Sequence, residues 1–103
     1  MVTITDRWGN EIINPDKTIA DKTFNDAFLN KALPEISITD GDFHLDINSN
    51  GWVYLENDDS VYYMKELKIE KIRQLWEWFY EEQIDYIAAE SWIKGIPLFN
   101  DDL

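Results

Sequence analysis

The sequence predicts an α+β fold, with an N-terminal β-hairpin and helix, a three-stranded antiparallel β-meander, and a long C-terminal helix packed on the sheet. Two patterns carry this prediction. Between residues 42 and 64, apolar and polar residues alternate, as they do in half-buried strands. From about Ile69, apolar residues recur every three or four positions, as they do on one face of a helix. The length of 103 residues fits a single domain, 1–103.

The chain is expected to begin with a hairpin over residues 2–14. Val2 and Ile4 alternate with polar residues there. Gly9 lies in the intervening turn and tolerates the positive φ that tight turns require. Pro15 then ends the second strand, because proline lacks a backbone N–H.

A helix is predicted over residues 18–33. Asp21 or Thr23 can cap its N-terminus, and Pro34 stops it. The residues expected on its buried face are Phe24, Ala27, Phe28 and Ala32. The pattern leaves open which face of the sheet this helix covers.

The meander is predicted with a definite register. A three-residue turn ending at Gly51 joins its first two strands and gathers their apolar side chains on one face, which selects the register. That face comprises Phe43, Leu45, Ile47, Val53 and Leu55, with Leu45 opposite Leu55 and Ile47 opposite Val53. A second turn has Asp58 and Asp59 at its centre. With that turn, Tyr62 and Met64 join the same face.

The long helix is predicted to run from about residue 69 to about residue 90. Its apolar face carries Ile69, Ile72, Leu75, Trp76, Phe79, Tyr80 and Ile87, and its opposite face carries Glu70, Glu77, Glu81 and Asp85. Basic residues lie near its N-terminus and acidic residues toward its C-terminal half, which is the reverse of what the helix dipole favours. The acidic residues therefore form either an ordinary solvated face or a surface selected by a basic partner.

The chain is strongly acidic, with 21 Asp and Glu against 9 Lys and Arg and a formal net charge of -12. This charge argues against direct binding to nucleic acid or to anionic membranes, since both are polyanions. The chain has no Cys, which excludes disulfides and thiolate chemistry. We find no pattern of a secretory signal or a membrane span in the sequence, so we expect a soluble, cytoplasmic protein.

Two segments hold most of the excess negative charge. Residues 35–64 contain seven acidic residues and no basic one, and residues 74–103 contain seven acidic residues and one basic one. Residues 1–34 contain five acidic and four basic residues and are nearly neutral. Carboxylates four residues apart on a helix are separated by about 6 Å, which is similar to the roughly 6–7 Å between neighbouring phosphates of a nucleic-acid strand. A stripe of Glu77, Glu81 and Asp85 can therefore imitate a run of phosphates.

Aromatic side chains are expected on the second face of the meander. This face carries Trp52, Tyr54 and Tyr63 together with Asp42, His44, Asp46 and Glu56. Either the N-terminal hairpin and helix cover it, or an aromatic patch ringed by carboxylates is exposed as an interface. Trp78, on the polar side of the long helix, is the best single candidate for an exposed anchor.

Other kinds of site receive little support from the sequence. The segment from Asp46 to Gly51 matches the first half of a calcium-binding loop, but the Glu required at position 12 is replaced by Asn57. Asp42, His44 and Asp46 alternate along one strand and could point at one metal ion, although any polar strand face has that spacing. The sequence has no nucleophile–base pair and no phosphate-binding loop. We therefore expect no catalysis, no metal and no cofactor.

The composition indicates a non-enzymatic binding protein. In size, charge and lack of catalytic residues, the chain resembles small acidic phage-encoded anti-defence proteins such as anti-CRISPR and antirestriction inhibitors. The resemblance, which is one of composition, implies docking into the basic nucleic-acid-binding groove of a nuclease or defence effector and exclusion of its DNA or RNA. The residues expected to bind the partner are Asp42, Asp46, Trp52, Tyr54, Glu56, Asp58, Asp59, Glu77, Trp78, Glu81, Glu82 and Asp85.

Two alternative functions stay open. An immunity or antitoxin protein that neutralises a basic nuclease toxin has the same physical design, and genomic neighbours would separate the two. A small accessory domain could instead form a homodimer through its aromatic patch. Measuring self-association against concentration distinguishes this third function from the other two.

Overall fold

An antiparallel sheet of seven strands forms one layer of the computed structural model, which describes residues 1–28, 33–58 and 60–95. The strands are β1 (Thr3–Thr5), β2 (Glu11–Ile13), β3 (Ile36–Thr39), β4 (His44–Ile47), β5 (Val53–Glu56), β6 (Val61–Met64) and β7 (Ile93–Lys94), in the spatial order β2-β1-β3-β4-β5-β6-β7. The helices are α1 (Lys17–Asp26), α2 (Ile69–Tyr80) and α3 (Ile84–Ala88). The predicted α+β class is confirmed, but the sheet contains more strands than the expected hairpin and three-stranded meander.

The difference in strand number arises mainly from β3, which was not among the strands expected from the sequence. β3 pairs with β1 on one side and with β4 on the other, and so joins the hairpin and the meander into one sheet. Ile36 and Ile38 are buried in the core, whereas Ser37 and Thr39 alternate with them on the other face. β7 adds a two-residue edge strand beside β6.

The predicted N-terminal hairpin and the predicted register of the meander are confirmed. β1 and β2 pair antiparallel around a turn in which Gly9 has φ +87°. In the meander, Leu45 lies opposite Leu55 and Ile47 opposite Val53, around a turn in which Gly51 has φ +88°. The next pairing brings Tyr62 opposite Leu55 and Met64 opposite Val53, on the expected face. Asp59, in the second turn, lies outside the described residues.

Helix α1 begins earlier and ends earlier than predicted. Its N-cap is Asp16, whose carboxylate accepts a hydrogen bond from the Ile19 N–H at 2.8 Å, so the expected caps Asp21 and Thr23 lie inside the helix. Asp16 serves because it directly precedes the first helical residue, Lys17, and its short acceptor side chain reaches the first free N–H groups. The helix ends at Asp26. The predicted face residue Ala32 lies outside the described residues.

The predicted long helix is two helices separated by a break after Tyr80. Glu82 has φ +59°, the Gln83 N–H donates to the Trp78 carbonyl at 2.8 Å, and the Glu82 N–H donates to the Phe79 carbonyl at 2.9 Å. This pair of bonds is the Schellman pattern that terminates helices. The prediction of one continuous helix to about residue 90 was wrong because the left-handed position is occupied by Glu, not by the Gly that usually marks such an end.

Both long helices pack on the same face of the sheet. Ala20 and Phe24 of α1 share one hydrophobic core with residues of α2 and with the apolar face of the sheet. The contributions of α2 are Ile72, Leu75, Trp76 and Phe79, and those of the sheet include Ile4, Ile38, Leu45, Ile47, Val53 and Leu55. The hairpin is part of the sheet itself. The possibility that the hairpin and first helix cover the second sheet face was therefore wrong, and neither α1 nor α2 lies on that face.

Candidate binding face on the open side of the sheet

The face of the sheet opposite α1 and α2, here called the open face, is formed by the alternate side chains of all seven strands. In the order of the chain these are Thr3, Thr5, Glu11, Ile13, Ser37, Thr39, His44, Asp46, Tyr54, Glu56, Val61, Tyr63 and Ile93. Hydroxyl groups dominate near β1 and β3, carboxylates lie at the centre, and aromatic rings lie toward β6. An antiparallel sheet commonly leaves one face to solvent in this way.

Four carboxylates surround one concavity of about 270 Å³ at the end of this face where β3 joins β4 and β5 joins β6. Asp46 and Glu56 extend from β4 and β5, and Asp42 and Asp58 come from the two adjoining turns. We call these four residues the acidic groove. All four were among the residues expected to bind a partner, and the strand pairing of His44 with Glu56 brings their two strands together.

The acidic groove is not neutralised from within. The only ion pair it makes in the described part of the chain joins Asp46 Oδ1 to His44 Nε2 at 3.9 Å, and no Lys or Arg there pairs with any of the four carboxylates. The neighbouring Asp40 instead stabilises the turn between β3 and β4. Its carboxylate accepts hydrogen bonds from the N–H groups of Asp42 and Phe43 at 2.9 and 2.8 Å. The groove is thus a local concentration of negative charge beside a hydrogen-bonded turn.

The sequence contains two possible metal sites, and the structure shows how their residues are arranged. Among the described residues, no three His, Asp or Glu side chains are placed to hold one ion, so Asp42, His44 and Asp46 do not form the ligand set considered. In the half-matching calcium loop, the Asn50 side chain accepts the Trp52 N–H at 3.0 Å, as expected of a hairpin turn.

An aromatic cluster, formed by Trp52, Tyr54 and Tyr63, adjoins the acidic groove. The rings of Trp52 and Tyr63 have centroids 6.2 Å apart and planes inclined by 12°, and Tyr54 lies 6.5 Å from Tyr63. The Lys65 ammonium lies 5.4 Å from the Trp52 ring and 5.9 Å from the Tyr63 ring. Because these neighbours cover it, Tyr63 is only 8% exposed. Tyr54 lies opposite Asp46, so the cluster and the groove are continuous.

The predicted helical stripe is divided by the break after Tyr80. Glu77 and Glu81 belong to the last part of α2 and its C-cap, but Asp85 belongs to α3, so the three carboxylates do not follow one helix. The Glu77 carboxylate lies 3.6 Å from the Lys17 ammonium. The Glu82 carboxylate accepts a hydrogen bond from the N-terminal amino group of Met1 at 3.0 Å. These helical acids are partly neutralised within the chain.

The acidic residues of α2 and its C-cap also affect the pKa of Lys17. Partial desolvation lowers its pKa, but the hydrogen bond and charge of Asp21 and the charges of Glu77 and Glu81 outweigh that effect, and the pKa is raised above its ordinary value. The cation is therefore held between α1 and α2, where it compensates acids that would otherwise repel one another.

Trp78 is half-buried and not the exposed anchor that the sequence suggested. Its ring packs 5.5 Å from the ring of Tyr86 in α3, and Lys71 lies 6.0 Å from its centre. The helix break explains this position, because α3 folds back beside α2. The tryptophan that is exposed is Trp8, at 59%, in the β1–β2 turn.

The structure thus divides the residues expected to bind a partner between two sides of the molecule. Asp42, Asp46, Trp52, Tyr54, Glu56 and Asp58 lie on or beside the open face, whereas Glu77, Trp78, Glu81, Glu82 and Asp85 lie in the helical layer. No protein-family model, curated protein or solved structure matches the chain. No helix in the described ranges has the length and apolar character needed to cross a membrane.

Proposed function

We propose that this protein is a non-enzymatic inhibitor that docks its open face into the basic nucleic-acid-binding groove of a target protein. The observation that carries the proposal is the acidic groove, whose four carboxylates lie together on an uncovered sheet face without a Lys or Arg partner in the described part of the chain. A basic partner would supply the missing positive charge. We further propose that it acts in the cytosol, in the manner of phage anti-defence inhibitors such as anti-CRISPR or antirestriction proteins.

The spacing of these carboxylates suits a surface that normally binds phosphates. Asp46 and Glu56 occupy diagonal positions on neighbouring antiparallel strands, which are separated by about 7–8 Å. Neighbouring phosphates of one strand lie at a similar separation, roughly 6–7 Å. Lys and Arg side chains arranged for a phosphate backbone would therefore meet carboxylates at a compatible distance.

The aromatic cluster complements the charge. Carboxylates accelerate encounter with a basic surface and make association sensitive to salt. Trp and Tyr rings contribute short-range contact area, which slows dissociation. Tyr54 beside Asp46 joins the two kinds of contact in one continuous patch.

Affinity capture from a cell lysate with the full chain as bait tests this function. We expect low salt to recover a nucleic-acid-binding protein and high salt to release it, and we expect the chain to displace DNA or RNA from the purified target. A variant with Asp46→Asn and Glu56→Gln should capture less of the same protein. Captured proteins that keep their nucleic acid while bound to the chain would contradict the proposal.

A further inference from the structure

The outer edge of β2 is an unprotected border of the sheet. In the described part of the chain, β2 is the last strand on its side and no strand pairs with its outer edge. The Asn14 N–H donates to the Val2 carbonyl at 2.7 Å, so the backbone of Asn14 faces β1. Backbone groups alternate along a strand, and the N–H and C=O groups of Glu11 and Ile13 therefore point outward. Such an edge is a template for another strand.

Exposed isoleucines flank this edge on both layers of the molecule. Ile13 is 72% exposed on the open face, and Ile19 of α1 is 46% exposed on the helical side. Lys17 points toward α2, where it meets Glu77. Ile19 follows it by two residues, about 200° around the helix, so it points away from α2.

Helix α1 lies on the β2 side of the helical layer. It follows β2 directly, and its C-cap carbonyl, that of Ala27, accepts a hydrogen bond from Arg7 in the β1–β2 turn at 3.1 Å. Helix α2, in contrast, starts beside the β4–β5 turn, where the Leu67 N–H donates to the Gly51 carbonyl at 2.9 Å. The side of α1 that faces away from α2, with Ile19, therefore borders the free edge of β2.

The charge distribution indicates what kind of molecule can pair with the free edge of β2. Residues 1–28, which include β1, β2 and α1, contain five acidic and three basic residues, so they carry little of the net charge of -12 of the whole chain. Two copies of so acidic a protein repel each other wherever their acidic surfaces meet. The nearly neutral N-terminal part is where a second copy can approach, and a basic partner is drawn to the acidic groove instead.

We propose that the protein forms a two-fold dimer by antiparallel pairing of the β2 edges of two copies. A two-fold axis through Ile12 places Glu11 opposite Ile13 of the second copy, so that each outward N–H and C=O finds a partner. In this register no two like charges lie directly opposite each other. The contact uses the same patch on both copies and therefore closes at two.

The dimer extends the open face. Antiparallel pairing about an axis perpendicular to the sheet keeps both open faces on the same side, with an acidic groove on each half, and brings the two α1 helices together on the other side. This inference does not depend on the proposed inhibitory function. A monomer that still displaces nucleic acid, or a dimer that does not, would separate the two.

Sedimentation velocity of the full chain over a wide concentration range tests the dimer. We expect the mass to rise from 12.2 kDa to about twice that value. Ile13→Glu, which places a second carboxylate directly opposite Glu11 of the other copy, should raise the dimer dissociation constant about tenfold or more. The matched control is Ile93→Glu, which makes the same change at an exposed isoleucine, 46% exposed, of the opposite edge strand and should leave the dimer intact.

Amide hydrogen exchange locates the contact and does not require a variant. The N–H groups of Glu11 and Ile13 should exchange quickly in dilute solution and become protected as the dimer forms. Ile19→Lys provides a second perturbation from the helical side and should also weaken the dimer. A monomeric mass up to millimolar concentration, or a dimer that survives both Ile13→Glu and Ile19→Lys, overturns the proposal.

Discussion

The ring of Phe24 in α1 contacts the indole of Trp76 in α2, with centroids 5.1 Å apart and planes inclined by 43°. Both side chains are fully buried. This contact holds the two helices side by side over the apolar face of the sheet. Both helices thus pack on the face of the sheet opposite the acidic groove and the aromatic cluster.

Removing the Phe24 ring should be among the most destabilising single changes in the protein. Phe24→Ala leaves a cavity between both helices and the sheet, and we expect the free energy of unfolding to fall by about 3–5 kcal/mol. Phe28→Ala is the matched control. The ring centroid of Phe28 lies 5.7 Å from that of Phe24, but Phe28 is only half-buried. We expect it to cost about 1–2 kcal/mol. Urea unfolding measures both, and equal losses would show that the Phe24–Trp76 contact does not hold the layers together.

Gly51 should resist substitution for two reasons. Its φ is +88°, and a Cβ at this position would lie 3.1 Å from the Leu67 carbonyl oxygen. We expect Gly51→Ala to cost about 1–3 kcal/mol. Gly41, with φ +99° and no atom within 4 Å of its Cβ position, has the same backbone strain without the close contact. Gly41→Ala should therefore cost about 1 kcal/mol, and a larger loss at Gly41 than at Gly51 would contradict the packing described.

Trp78 should contribute to stability, since it packs against Tyr86. Trp78→Ala is expected to lower the free energy of unfolding by about 1–2 kcal/mol. Trp8→Ala should change it by less than about 0.5 kcal/mol, because Trp8 is exposed. Thermal unfolding of the two variants makes the comparison. A stable Trp78→Ala protein would restore Trp78 as a candidate exposed anchor.

The β1–β2 turn should make stability depend on pH through Asp6. Slight desolvation raises the pKa of Asp6, but hydrogen bonds from Asn10 and Trp8 to its carboxylate, and the nearby Gly9 N–H, lower it, and the net pKa lies below its ordinary value of 3.8. A carboxyl group whose pKa is lower in the folded state stabilises the fold above the unfolded pKa and loses this effect as the pH falls through the folded pKa. We expect the stability deficit of Asp6→Ala, measured in urea, to be full near pH 7 and to shrink below about pH 4. A deficit that stays constant down to pH 3 would contradict this assignment.

The sequence predicted the parts of the fold that local patterns determine. The pairing of Leu45 with Leu55 followed from strict alternation and from the turn chemistry at Gly51. Ile36 and Ile38 show the same alternation. However, a run of only four residues shortly after Pro34 is too short for its pattern to predict β3 on its own. The helix break at Glu82 had no sequence signal, because its left-handed position is held by a residue other than Gly or Asn.

The candidate site was predictable in its residue types and not in its geometry. The run of acids without bases from residue 35 to residue 64 indicated a negative surface. Whether that surface is exposed depends on the contact of Phe24 with Trp76, which is tertiary. Likewise, nothing in the local sequence indicates that Lys17 compensates Glu77 and leaves the groove at Asp46 as the unneutralised cluster.

The most direct test of the account compares two variants that lose the same charge from different sides of the protein. Asp46→Asn with Glu56→Gln removes two of the four carboxylates of the acidic groove, and Glu77→Gln with Glu81→Gln removes two carboxylates from the end of α2 and its C-cap. For the target recovered by affinity capture, we predict that the groove variant raises the dissociation constant about tenfold or more, and that the helix variant changes it much less. Equal losses, or a larger loss in the helix variant, would contradict the claim that the open face binds the partner.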